Sequence, residues 1–537
     1  MKPHRTGLLL ASGSALALLL AACGGSSNSA SPQPTSTASQ VFTYDTTAPV
    51  MDDGWDPATE YSDGIIAMNN MYETLTRYNA VTQKIDPLLA TSWSKSADGL
   101  TWTFHLRQGV HFHTGRLMTA QAAKAALQRT IKLGGGAAYV FAAVKSISAP
   151  NASTLVFHLK YAAPMDLAAS AAYSAYIYDT QAAGSGASSS ALGKWFNTPH
   201  DAGTGPYTVQ TWNKGQEFEV ILKSYPGYWG GWSGPHFKKV VFRVVTQDST
   251  AAQLLRSGQV SFVSQVSPSV WQSFRGDPGI RTVSAPSWQN LLAQINSKAL
   301  DLNLRQAISY GINYPGIIAA LHGAAVPSSG LVPPGLFGHS TNLPNYTYDP
   351  AKAAQMLKQA GYGPGGKPLN LTLTYTQGDS NEQVVATLLK SSLAKLNVNL
   401  STQSLAWPTQ WAKAKSSNEA NRQSIFLEYW WPDLADPSTW FTNLLLTEKS
   451  PYFNLSYYSN ASLDKQINQV ESLLANNVSA GEQLYRTMQV EVLQQAPLDV
   501  LYNVNYQYAM RTSFTGFKVN PAYANVVFAY NLRPTGS

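Results

Sequence analysis

The sequence predicts an α/β protein of more than one lobe, and three observations carry that expectation. Short runs alternate apolar with polar residues, helical stripes lie between them, and residues 369–405 read as strand, helix and second strand. The part of the chain able to fold, about 500 residues from 41 onward, exceeds what one hydrophobic core usually sustains.

Taken in order, the chain opens on an export signal. Lys2 and Arg5 give a short positive region, and an apolar run from 8 to 20 follows. Counted as 7–22, the segment is about 16 residues, short of the roughly 20 that a spanning helix needs. Leu20-Ala21-Ala22-Cys23-Gly24 closes it and resembles a bacterial lipobox, in which the cysteine is lipidated and becomes the first residue. Cys23 is the only cysteine of the chain, so it has no disulfide partner within it. The expected division is a signal peptide over 1–22, then the lipidated Cys23 and a tether over 23–40. That tether has no charge and no large apolar side chain, and cannot offset the entropy of ordering itself.

In the body, Asp98-Gly99 turns into a strand over 100–106, where Leu100, Trp102, Phe104 and Leu106 share a face. Thr119 caps a helix over 120–131. A strand pair spans 207–212 and 218–222, a strand covers 240–245, and a helix over 249–257 stops at Gly258. Asp349-Pro350 starts a helix with Ala353, Met356, Leu357 and Ala360 on one stripe, closed by Gly361. A strand over 369–375, a helix over 381–396 and a strand over 398–405 complete the β-α-β unit.

Composition narrows the function. Charged residues are 12% of the chain, about half the usual share. The net charge of +7 becomes about +5 once Lys2 and Arg5 leave, and the basic residues are scattered, which speaks against nucleic-acid binding. No second segment approaches spanning length. There is no Gly-x-Ser-x-Gly elbow, no phosphate loop, no His-Glu-x-x-His and no spare thiol, so the sequence supports no catalytic residue, cofactor or thiolate metal site. His105, His111 and His113 cluster locally, but His111 and His113 are expected to edge a hairpin and not to hold a metal.

Ile85-Asp86-Pro87-Leu88-Leu89-Ala90-Thr91-Ser92-Trp93 and the stretch from Asp98 to His113 open a series of ordered blocks, and they resemble the extracellular solute-binding proteins of family 5, which serve ABC importers of peptides and nickel. Gly203-Thr204-Gly205-Pro206-Tyr207, Tyr225-Pro226-Gly227-Tyr228-Trp229, and Leu304-Arg305-Gln306-Ala307-Ile308 follow. Trp430-Trp431-Pro432-Asp433-Leu434-Ala435-Asp436-Pro437 is similar to the family's binding-lobe motif, and Ala496-Pro497-Leu498 introduces a return strand. Asn313-Tyr314 stands where the family usually has Asp-Arg, and Ser261 where Asp is common.

The resemblance implies a periplasmic-binding-protein-like clamshell of two main α/β lobes joined by a two-strand hinge, with a smaller extra lobe. Lobe I would take 41–75, 196–287 and 504–537, lobe II 76–195 and lobe III 288–503, the chain crossing near 288–296 and 503–510. In peptide-binding relatives the acid aligned with Asp433 pairs with the ligand's α-ammonium. Tyr429, Trp430, Trp431, Trp407 and Trp288 are the further ligand-contact candidates, with Trp411 beside them. Leu427 stands near where relatives that grip a peptide carboxylate can carry a basic residue. The implied partners are a peptide or other small solute, a permease and ATPase complex, and the membrane through a lipid anchor, the protein itself being a monomer. An oligosaccharide or other neutral solute is the alternative ligand, with nickel or a metallophore behind it.

Overall fold

The computed structural model describes residues 40–47, 55–61, 63–214, 218–523 and 525–535. The leader, Cys23 and the tether up to residue 39 lie outside the described residues. No helix among the described residues is long and apolar enough to cross a membrane.

Local signals place most elements. In Thr101–Leu106 the side chains of Trp102, Phe104 and Leu106 are buried. That strand pairs antiparallel with Ala90–Lys95 and Thr154–Leu159 in a four-stranded sheet. Gly99 takes φ 69° at the turn, a left-handed conformation that glycine adopts without a Cβ penalty, and Leu100 donates its N–H to Asp98 Oδ1 at 3.0 Å. The helix Ala120–Leu133 is capped by the Thr119 hydroxyl, as expected, and runs two residues beyond 131 to Gly134, which is left-handed. Gly258 stops Asp248–Ser257 in the same way.

An eleven-stranded sheet forms the frame. At one end Val41–Thr46 lies parallel to both Lys239–Val244 and Phe262–Ser264. At the other, Leu369–Thr376 and Val398–Leu405 run parallel, joined by the helix Ser380–Ala394, which is the β-α-β unit the sequence predicts. Two long strands, Ile280–Ile295 and Leu498–Arg511, connect the ends. Ile280 to Pro286 pair with Arg511 to Asn505, and Asn290 to Gln294 with Asn503 to Leu498, with a break in register between Pro286 and Asn290. Proline has no N–H to give to a ladder, so pairing is interrupted there. A separate apolar core under the second end gathers Leu291, Ile308, Leu357, Leu389 and Leu400.

Three local details go beyond the sequence reading. The helix after Asp436-Pro437 starts at Ser438, where Asp436 Oδ1 accepts the Ser438 N–H at 2.7 Å and the Tyr485 hydroxyl at 2.9 Å. Asn313 accepts the Gly316 N–H at 3.0 Å and so caps Tyr314–Ala320, a role its amide oxygen fills as an Asp would. His113 is buried, bonded to Asp201 and, at 2.9 Å, to the Gly205 carbonyl. Burial opposes its charged form, but Asp201 outweighs burial and holds the imidazole above its ordinary pKa. His111 instead makes an isolated bridge to Leu117.

Candidate functional site

The strand Ile425–Trp430 lies inside the large sheet, paired with Ile280–Ile295. Where it ends, the chain enters a cavity of about 680 Å3. One wall is the segment from Glu428 to Asp433 together with Thr376, Asp379 and Trp407; facing residues come from Tyr61, Asp63, Gly136 and Gln265. Regions distant in sequence therefore build one space.

Each sequence candidate has a definite place. Asp433 is half-buried and accepts the Tyr139 hydroxyl on Oδ2 at 2.6 Å. Trp431 donates its indole N–H to the Tyr173 hydroxyl at 2.9 Å, and Trp430 to Thr439 Oγ1 at 3.1 Å. The Tyr429 and Tyr502 hydroxyls lie 3.2 Å apart. Trp407 starts the helix Trp407–Ala414 and packs its ring 5.4 Å from Trp411, which in turn meets Phe453 and Tyr61. All five of Trp407, Tyr429, Trp430, Trp431 and Asp433 line the cavity, and so does Trp411. Trp288 does not: it is 4% exposed, sits 5.6 Å from the Tyr78 ring, and donates its backbone N–H to Pro521.

The electrostatics are one-sided. Besides Asp433, the cavity is lined by Asp63, Asp379, Glu382 and Glu428, and no lysine or arginine is among the lining residues. None of the five acids forms an ion pair among the described residues. Burial pushes Asp433 up to about 6, against a smaller opposing pull from the Tyr139 hydroxyl. Burial lifts Glu428 to about 8 and, with Asp379 beside it, Asp63 to about 7. Glu382, 1% exposed, is raised by burial and by Asp379. Sequence reasoning missed these four acids. The signal for Glu428 was an acid inside the otherwise apolar and aromatic run Ile425-Phe426-Leu427-Glu428-Tyr429-Trp430. Asp63, Asp379 and Glu382 carried no such mark.

A sheet divided into two ends by a pair of crossing strands, with a walled cavity, is the frame of a clamshell binding protein. The chain matches the family model of bacterial extracellular solute-binding proteins, family 5, over residues 84–452, and it belongs to that family. Its relatives include a probable D,D-dipeptide-binding periplasmic protein of Escherichia coli (strain K12), 28% identical over 467 residues that cover 84% of this chain and 86% of the relative. Two solved structures share its fold. The periplasmic binding protein DppA of Helicobacter pylori, in complex with the peptide STSA, has a TM-score of 0.81 at 23% identity, covering 93% of this chain and 98% of that one. The oligopeptide-binding protein AppA of Bacillus subtilis, in complex with a nonapeptide, has a TM-score of 0.81 at 20% identity, covering 93% and 100%.

Proposed function

We propose that this chain is the capture component of an ABC-type importer, that its cargo is a peptide, and that Asp433 receives the peptide's α-ammonium. The observation that carries the reading is Asp433 itself: an acid on the cavity wall, at the family's binding motif, with a phenol on one oxygen and no cation on the other. A cation is the missing partner. Relatives named for a dipeptide, and fold neighbours holding a tetrapeptide or a nonapeptide, support the ligand class. Under the lobe division 41–75, 196–287 and 504–537; 76–195; and 288–503, the cavity walls come from all three lobes, so a ligand seated there touches all of them only when they are shut. Trp407, Tyr429, Trp430 and Trp431 then wall its side chains. The protein works as a monomer, releases its cargo chemically unchanged to a permease and ATPase, and is held at the outer face of the membrane by lipid on Cys23. Cys23→Ser is expected to free it or leave its precursor uncut; equal processing and membrane retention would remove the anchor.

Asp433→Asn keeps shape and removes charge. Calorimetry with a peptide is expected to show binding weakened at least a hundredfold, about 3 kcal/mol, with N-acetylation of the peptide costing wild type a similar amount. The aromatic walls favour a second reading, a neutral solute stacked on Trp407 and Trp411, for which the loss stays near tenfold or below. A peptide held equally tightly by both proteins removes Asp433 from the site.

A further inference from the structure

The five acids fall into two groups. Asp433 accepts the Tyr139 hydroxyl, and burial, Asp63 and Asp433 together raise the pKa of Tyr173. The other four act on one another in series: Asp63 with Asp379, Asp379 with Glu382, and Glu382 with Glu428. Helix capping explains part of this second group. Asp379 Oδ1 accepts the Glu382 N–H at 2.8 Å, and Glu382 Oε2 accepts the Thr376 N–H at 2.6 Å, at the start of Ser380–Ala394. Capping explains neither Asp63 nor Glu428. Glu428 is 2% exposed and, among the described residues, its side chain accepts a hydrogen bond from the Gln294 amide alone, on Oε1. Four carboxylates line one cavity, Asp63 and Asp379 half-buried and Glu382 and Glu428 almost inaccessible, and such a set does not fully ionise without a counter-cation.

A second observation is independent of charge. Gln289 is 7% exposed and lines the same cavity, and its side-chain amide has no hydrogen bond among the described residues. Buried amides are ordinarily bonded, so this one is free for a guest. Nor does a metal ion suit the acids, because no group of three or more metal-ligating side chains is arranged to hold one among the described residues. Lys415, over the Trp411 ring at 5.4 Å and the Tyr452 ring at 4.5 Å, is not a lining residue. The half-buried rings of Trp407 and Trp411 suit the alkyl stem behind a cationic head.

We infer that the ligand carries two organic cations: one meets Asp433, and a second ammonium or guanidinium seats against Asp63, Asp379, Glu382 and Glu428, with Gln289 bonding the polar atoms between them. The inference rests on the proposed capture role of this cavity and sharpens it: the cargo class is a basic peptide, and a free carboxylate has no cation to meet.

The test uses the mature chain, freed of co-purifying solute, and alanine tetrapeptide amides with one lysine at position 2, 3 or 4. Calorimetry is expected to find at least one lysine peptide bound tenfold or more tighter than both the all-alanine amide and its own acetyl-lysine form. In Asp63→Asn/Glu428→Gln that preference is expected to fall below threefold. The acetyl-lysine comparison needs no variant, so it stands even if the double variant fails to fold. Equal affinity for lysine and acetyl-lysine at every position overturns the inference while leaving the peptide reading intact. A preference that survives in the double variant overturns the assignment to these acids. Spermidine separates the two readings from the other side: if it binds and no peptide does, the two-cation site stands and the peptide reading falls. If neither binds, both fall.

Discussion

Two sets of buried acids in this molecule are treated in opposite ways. Four acids of the frame have a basic partner. Asp45 takes two bonds from Arg243 at 2.9 and 3.0 Å, and Asp56 two from Arg129 at 2.6 and 2.5 Å. Asp179 meets Arg116, and Asp201 meets His113. In the cavity, five acids have none. A carboxylate removed from water is costly unless paired, so five acids without a cation around one cavity stand apart from the four that the frame pairs. Those four pairs tie distant strands and helices together; the cavity acids tie nothing through a cation.

The largest effect that tests this contrast is on the frame side. Arg129 and Asp56 are 8% and 13% exposed. Arg129→Met strands Asp56 and is expected to lower unfolding stability by about 3–5 kcal/mol, read as a fall in the urea midpoint. An unchanged midpoint would break the comparison at its stronger end.

A pH series comes next. Asp433, Asp63 and Glu428 stand at about 6, 7 and 8 in the folded chain, above the roughly 4 of an unfolded acid. Between those values the native state binds more protons than the unfolded one, so these groups take stability away as pH rises from about 4 to 8. His113, raised by Asp201, loses its contribution in the same direction above its unfolded value near 6.5. The melting temperature without ligand is therefore expected to fall by roughly a few degrees between pH 5 and 8.5. Asp433→Asn/Glu428→Gln should flatten the cavity's share of that slope and leave the His113 share. An unflattened slope places the titration outside the cavity.

The smallest expected effect sharpens the contrast most. Glu428→Gln removes a buried charge that has no cation, and at pH 8 it should shift stability by about 1 kcal/mol or less, toward greater stability. A loss on the scale of Arg129→Met would show that Glu428 is paired after all.

Much of the frame was legible because its signals are local. Thr119, Asp98-Gly99, Gly258 and the stripe after Asp349 each act within a few residues, and each is where the sequence puts it. The cavity was legible along the stretch from Tyr429 to Asp433 and at Trp407 and Trp411. Asp63, Gln289, Glu382 and Glu428 are far apart in the chain and meet only through the tertiary fold, and Glu382 looks like any first-turn helix acid. Trp288 and Gln289 show how fine the limit is. Neighbours in a strand point to opposite faces, and here Gln289 lines the cavity while Trp288 does not. The break between Pro286 and Asn290 denied the sequence a simple alternation from which to read it.

Tyr139 and Tyr173 give the site a clock as well as a shape. Both phenols reach from the first third of the chain to the 431–433 segment, one to Asp433 and one to Trp431. At about 1 kcal/mol each, two such bonds weight the shut arrangement by roughly thirtyfold with no guest inside. Under the proposed capture role, entry would wait on a rare opening, and so would escape. Dwell time would be set by two hydroxyls, and a permease taking the cargo would have the same two bonds to undo. Stopped-flow association should quicken in Tyr139→Phe/Tyr173→Phe, with release quickening alongside it; a double variant with wild-type rates on both limbs would leave the clock without its escapement.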